Sequence, residues 1–140
     1  MRLVIDTDVV VAGLRSPSGA SAALLTLLLQ GRNTLLLTVA LALEYEAICM
    51  LPEHRLAAQA SKEDAGTLID ALVAVAEPVE VHYQWRPQLA DAGDEMVLEA
   101  AVNGRATAIV SFNRRDFGTA PGRFGIELLS PGEALKRMVP

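Results

Sequence analysis

Short apolar runs alternate along the chain with stretches whose apolar residues recur at helical spacing. The first run, Leu3 to Val11 (LVIDTDVVV), is rich in β-branched residues. It reads as a strand covered on both faces, carrying Asp6 and Asp8 on or just past its end. RSPSGAS follows as a loop with helix-start residues, and Ala20 to Gln30 reads as a helix closed by Gly31. Thr34 to Thr38 is a second short strand, and Ala40 to Leu51 a second helix stopped by Pro52. A third helix starts at a capping-box pattern, Ser61 with Asp64, in SKEDAGTLIDALVAVA. The alternation in Val79 to Tyr83 (VEVHY) predicts a third strand. DAGDEMVLEAAVNG is a helix with acids at its start and Asn103-Gly104 at its end. Ala106 to Ser111 and Gly125 to Ser130 are strands four and five. The last helix has Ser130 as its cap, Pro131 first and Glu133 third.

The resulting order is β-α-β-α-α-β-α-β-β-α, with no repeat, low-complexity tract or linker. It predicts one α/β domain over residues 1–140, a three-layer α/β/α arrangement around a parallel sheet of about five strands. A Gly-rich phosphate loop is missing, because Gly104, Gly118, Gly122 and Gly125 form neither GxGxxG nor a Walker pattern.

Composition narrows the class. Of 140 residues, 51% are hydrophobic, enough to bury a core. The net charge of −5 does not announce a nucleic-acid binder, which is usually basic, yet a cluster of catalytic acids would itself lower that charge. The ten Arg against two Lys read first as compositional bias. Cys49 is the single cysteine, so no disulfide forms within the chain, and a reducing cytoplasm is expected. It sits in an apolar helical run and reads as core, while the isolated His54 and His82 read as surface or edge residues. The longest apolar stretch, Ala22 to Leu29, falls short of the roughly 20 residues that span a membrane, and it lacks the cleavage site of a signal peptide.

The acids carry the chemistry. In a parallel α/β sheet, ligands bind outside the carboxyl ends of the strands. Asp6 and Asp8 fall there on strand one, and Asp116 follows strand four. Asp91, Asp94 and Glu95 open the helix before strand four, with Asp94 and Glu95 three and four positions from Asp91 and so on one face of the first turn. Helix-dipole enrichment alone accounts for any single one of these acids. Glu44 is the most informative, because its helix is apolar around it. Either Glu44 faces solvent, or something positive offsets it. Carboxylates converging without Cys or His suit a hard cation, Mg²⁺ or Mn²⁺. Such ions activate water and stabilise a phosphoryl transition state, which gives metal-dependent phosphodiester hydrolysis.

VIDTDVV also fits the haloacid-dehalogenase phosphatase signature, but the later lysine and acidic pair are missing: Lys136 alone follows Ser111. A phosphoacceptor receiver domain would need an Asp ending strand three, and VEVHYQW has none. Nearly the whole chain instead resembles the PIN-domain ribonucleases, especially the toxin components of bacterial toxin–antitoxin pairs. The opening strand is similar to hhIDTNVLV, where h is apolar, with Asp8 in place of Asn. LRSPSGASAALLTLLLQGR looks like the following segment of one subgroup, and TVALALEYEAI like the helix that supplies the family's acid, here Glu44. DAGDEMVLEAAVNGRATAIVSFNRRDF resembles the block D-x-x-D-x-x-hL-x-x-A…hhT-x-N-x-x-DF, mapping the third and fourth acids to Asp94 and Asp116, with Ser111 for Thr. GIELLSPGEAL resembles the family's ending.

The resemblance implies an endoribonuclease in which Asp6, Glu44, Asp94 and Asp116 hold one or two Mg²⁺ or Mn²⁺ ions, with Asp94 or Glu95 orienting the attacking water. Asp8 is expected to be structural, pinning the loop that follows it as an Asn would. Asp91 joins the supporting acids. Ser111 and Asn113 are expected to aim the carboxylates, and Arg114 and Arg115 to fork RNA phosphates. A cognate antitoxin and a homodimer are implied as partners, with part of Ala22 to Leu29 sealing an interface. The alternative is a PIN-like RNA- or protein-binding module without turnover.

Overall fold

The computed structural model describes residues 1–82, 89 and 91–138. Five parallel strands form one sheet in the order β3-β2-β1-β4-β5. They are β1 (Arg2–Ile5), β2 (Thr34–Leu37), β3 (Glu77–Pro78), β4 (Ala108–Val110) and β5 (Glu127–Leu129). Helices α1 (Thr7–Arg15), α2 (Ala20–Leu29), α3 (Val39–Cys49), α4 (Pro52–Ala58), α5 (Lys62–Val75), α6 (Ala92–Gly104), α7 (Arg114–Phe117) and α8 (Pro131–Met138) complete the expected three-layer α/β/α architecture. β1 lies at the centre, and Leu3, Val4 and Ile5 are fully buried. Burial of each such side chain contributes roughly 1.5–3 kcal/mol.

The first expected strand is two elements. β1 ends at Ile5, and Asp6 is the N-cap of α1, accepting a hydrogen bond from the Thr7 N–H at 2.8 Å. Val9, Val10 and Val11 favour strands, yet they are buried on a helix that packs against α2 and α3. Tertiary packing outweighs a propensity difference of less than about 1 kcal/mol per residue. The local signal was the cap itself, Asp followed by Thr and Asp. Pro52 also acts differently from expectation: it opens α4 as a first-turn proline instead of only ending α3.

The third strand comes two residues early. Glu77 and Pro78 pair with Leu36 and Leu37, and the Val79 N–H bonds the Leu37 carbonyl at 2.9 Å. Val81 and His82 are exposed, and Tyr83 lies outside the described residues. Gly104 does not end α6 by adopting a left-handed conformation; Arg105 does, at φ 54°. Gly104 serves close packing, since a Cβ there would meet Leu36 and Val79 side chains at 3.0 Å. The Ser61–Asp64 capping box and the Ser130–Glu133 pair both form.

One face of Ala22 to Leu29 is occupied within the chain, and Ala23 and Thr26 are exposed on the other. Leu24, Leu25 and Leu28 are buried, and α2 packs against α1, α5 and α8. The large exposed apolar side chains are chiefly Val39, Leu43, Leu56 and Phe112. Among the described residues no helix is long and apolar enough to cross a membrane.

Candidate active site

The strand order fixes where a site can be. From β1 the chain builds outward to β2 and β3, then returns to the other side of β1 for β4 and β5. The crevice of such a sheet opens at the carboxyl ends of the two strands where the order reverses, here β1 and β4. Asp6 follows β1 and Ser111 follows β4. The Asp6 N–H donates to the Val110 carbonyl at 2.9 Å, and the Ser111 hydroxyl donates to Asp6 Oδ2 at 2.6 Å. Ser111 is fully buried, and its Oγ also accepts the Asn113 N–H at 2.9 Å. Asp6 therefore has one oxygen held by Thr7 and the other by Ser111.

Asp8 lies in the first turn of α1, not on a strand. Its Oδ2 accepts the Phe112 N–H at 3.2 Å, so it ties down the loop after β4, 104 residues away, and not the loop that follows it in sequence. Its Oδ1 is buried and has no hydrogen-bond partner among the described residues.

The second wall comes from α3 and α6. Thr38 caps α3 by accepting the Leu41 N–H at 3.1 Å. Tyr45, fully buried on the same helix, donates its hydroxyl to the Ile5 carbonyl, one residue before Asp6. Burial holds this phenol well above its usual range, so it remains a donor. Sequence reading passed over Tyr45. Its position four residues after Leu41 on the buried face was the signal, because a buried Tyr requires a hydroxyl partner. Beside it, half-buried Glu44 points its carboxylate at the start of α6: a Cβ built on Gly93 would meet Glu44 Oε2 at 3.3 Å and Asp91 Oδ1 at 3.0 Å. Glycine at 93 leaves room for both acids. The positive end of α6 supplies part of the offset that a buried Glu44 requires.

The three acids of α6 separate. Asp91 is the N-cap, accepting the Gly93 and Asp94 N–H groups at 2.8 and 3.1 Å. Asp94 is 9% exposed and shares its field with Asp6, Asp91, Asp116 and Glu44. Glu95 is also buried, but its Oε1 accepts the Leu89 N–H, and it perturbs none of those carboxyls. About 100° of helix rotation separates consecutive residues, so Asp94 and Glu95 do not share a direction. Asp116 sits exposed on α7, whose N-cap is Asn113, near enough to raise both Asp6 and Asp94. Arg114 is ion-paired with Glu133 at 2.6 Å, whereas Arg115 is exposed and makes no ion pair among the described residues.

Helix ends and hydrogen bonds offset these acids only in part. Burial raises the Asp94 and Asp8 carboxyls to about 6, and neighbouring acids push them the same way. Burial also raises Glu44, with Asp6 and Asp91 adding to it. Asp6 is raised by burial, with the Ser111 and Thr7 hydrogen bonds opposing. No basic side chain is among the groups that shift these four acids. An all-oxygen donor set with no protein cation suits a divalent ion. The described residues nonetheless include no group of three His, Cys, Asp or Glu side chains already gathered for a metal. Unscreened carboxylates repel one another, and Mg²⁺ needs only one or two of them directly because it keeps several waters. By charge and chemistry the residues fit such an ion; a closed cage is not built.

These shifts fix a sign for pH dependence. A carboxyl raised on folding binds its proton more tightly in the native state. Its stabilisation is full below the unfolded value near 4 and is lost as pH rises through about 6. In EDTA the thermal midpoint should therefore fall by several degrees between about pH 5 and pH 8. Circular-dichroism melts across that range check it, and a midpoint that rises with pH would contradict the cluster's electrostatics.

A family model for the PIN domain matches residues 2–115. That span takes in Asp6, Glu44, Asp94 and Ser111, and it ends one residue before Asp116. No curated protein and no solved structure matches the chain. PIN domains are generally nucleases, bind RNA and typically use divalent metal ions. With most of its length matched, and with the parallel sheet and acid-lined crevice described above, the chain belongs to the PIN-domain family.

Proposed function

We propose that this protein is a metal-dependent endoribonuclease acting in the cytoplasm as the toxin of a toxin–antitoxin pair. The observation that carries the nuclease reading is geometric: Asp6 is fixed by Thr7 and Ser111 at the β1/β4 crevice, the Glu44 carboxylate lies against the start of α6, and Asp94 is buried in the first turn of that helix. Asp6, Glu44, Asp94 and Asp116 would hold Mg²⁺ or Mn²⁺. Such an ion, when bound, supplies the acidity that activates water and the charge that stabilises a phosphoryl transition state.

The chain's own residues do the positioning. Ser111 holds Asp6 in one orientation, and Asn113 fixes the Ser111 hydroxyl through its N–H. Asp91 keeps the start of α6 formed, which holds Asp94 within the field of Asp6. Asp8 holds the loop that bears Ser111 and Asn113. Arg115, exposed on α7, would meet an RNA phosphate, while Arg114 first has to leave Glu133.

The toxin assignment rests on the ordered motifs from VIDTDVV to LLSPGEAL. An antitoxin and a second copy of the chain are its partners. Surface suited to them lies along Val39, Ala42, Val73, Ala76 and Pro78, which line an open groove of about 340 Å³ between α3, α5 and β3.

The test is cleavage of end-labelled total RNA with Mg²⁺ or Mn²⁺, comparing wild type with Asp94→Asn, with EDTA as control. Cuts that require metal and vanish in the variant are expected. Folded wild-type protein that neither cuts nor binds metal would replace the enzyme with the binding-module reading.

A further inference from the structure

The loop between β4 and α7 carries an aromatic ring that the carboxylate site does not use. Phe112 is 55% exposed, although it follows the fully buried Ser111 and lies five positions before Phe117, which is 1% exposed. This loop thus supplies one phenylalanine to the core and leaves another in solvent. The exposed one is held on both sides. Its own N–H donates to Asp8 Oδ2, and the next N–H donates to Ser111 Oγ, whose proton goes to Asp6. A ring on a fixed backbone has only two side-chain torsions left to order, so contact with it costs little entropy.

Electrostatics create a need for such a contact. The chain carries a net charge of −5, the crevice is lined with acids, and Arg114 is engaged by Glu133. Arg115 is left as one cation beside these acids, so phosphate contacts alone give a polyanion limited affinity at such a mouth. Stacking on an aromatic face is the other general source of affinity for unpaired nucleic acid, and it does not depend on charge.

We propose that Phe112 is the platform on which the nucleobase beside the scissile phosphate stacks, making it a specificity-determining residue. This rests on the nuclease reading above. A base inside a duplex cannot offer its face to the ring, so Phe112 selects unpaired positions.

The experiment uses the full chain and a short mixed-sequence, end-labelled single-stranded oligoribonucleotide, with an abasic version of the same length. Phe112→Ala should raise KM by about tenfold while changing kcat little. Phe112→Trp should restore KM, and its added fluorescence should be quenched by the intact oligonucleotide and not by the abasic one. Loss of the bases from the probe should cost the wild type affinity and cost Phe112→Ala almost nothing more. Wild-type KM in Phe112→Ala, or Trp fluorescence indifferent to the bases, overturns the platform while leaving the nuclease intact. Wild type that neither binds nor cuts either probe overturns both together. Melting curves of both variants establish that each is folded, as expected for an exposed position.

Discussion

Asp6→Asn is expected to lower RNA cleavage by more than about a hundredfold while raising the thermal midpoint at neutral pH. Both effects follow from one oxygen pair. Asn caps a helix as well as Asp does, so the Thr7 N–H keeps its acceptor and α1 keeps its start. The Ser111 hydroxyl keeps a polar partner too. What disappears is a negative charge that raises Asp8, Glu44 and Asp94. Without metal that charge is a net cost above about pH 6, and the amide removes it. On the proposed reading the same charge would be a ligand once metal is bound, and its loss would remove function. Asp6→Ala should separate the two roles: it loses cleavage as well, but also loses the cap, which costs about 1 kcal/mol. Cleavage rates with Mn²⁺ and melts in EDTA decide the matter. An Asn variant that cuts at the wild-type rate would remove Asp6 from the metal-binding set, and one that melts lower would show that repulsion is not what the site stores.

Much of this arrangement was legible in the residues, and the failures have physical causes. Alternating apolar runs and helical stretches were enough for a parallel five-strand α/β/α sheet, because both periodicities are local. That Asp6 would stand at a strand's carboxyl end followed from the same pattern, although the strand ends at Ile5 and not at Val11, as the valines suggest. β-branching describes what a residue tolerates locally; the burial of Val9 to Val11 against α2 and α3 is a property of the assembled chain. Glu44 was recognisable as an acid out of place. What offsets it, the start of α6 at Gly93, depends on a helix about 50 residues later in the chain and had no local signature. The division of Asp94 from Glu95 depends on where α6 lies against the sheet. The Ser111–Asp6 and Phe112–Asp8 bonds span 105 and 104 residues, and no spacing rule reaches that far. β3 was misplaced because its own two residues are exposed; of the alternating valines that follow, Val79 packs against the core and Val81 is exposed, so the alternation marked no buried face.

Tyr45→Ala is expected to cost about 3–5 kcal/mol, a large part of the roughly 5–15 kcal/mol that holds such a domain together. The side chain is among the largest in the core and is fully buried, so its removal leaves a cavity between α3 and the central strand. Tyr45→Phe isolates the hydroxyl. The ring stays, but the Ile5 carbonyl loses the donor that reaches it from α3, at a cost of about 1–2 kcal/mol. Urea denaturation measures both changes. Their consequences for the site differ as well. Tyr45 couples the helix that carries Glu44 to the residue before Asp6, so the two acids keep their relation only while that bond spans the gap. A Phe variant that loses stability should therefore also lose cleavage rate at saturating metal, even though no atom of residue 45 touches the reacting phosphate. A Phe variant with unchanged stability and unchanged rate would mean that the packing of the ring alone holds β1 and α3 in place, and that the buried hydroxyl contributes nothing net.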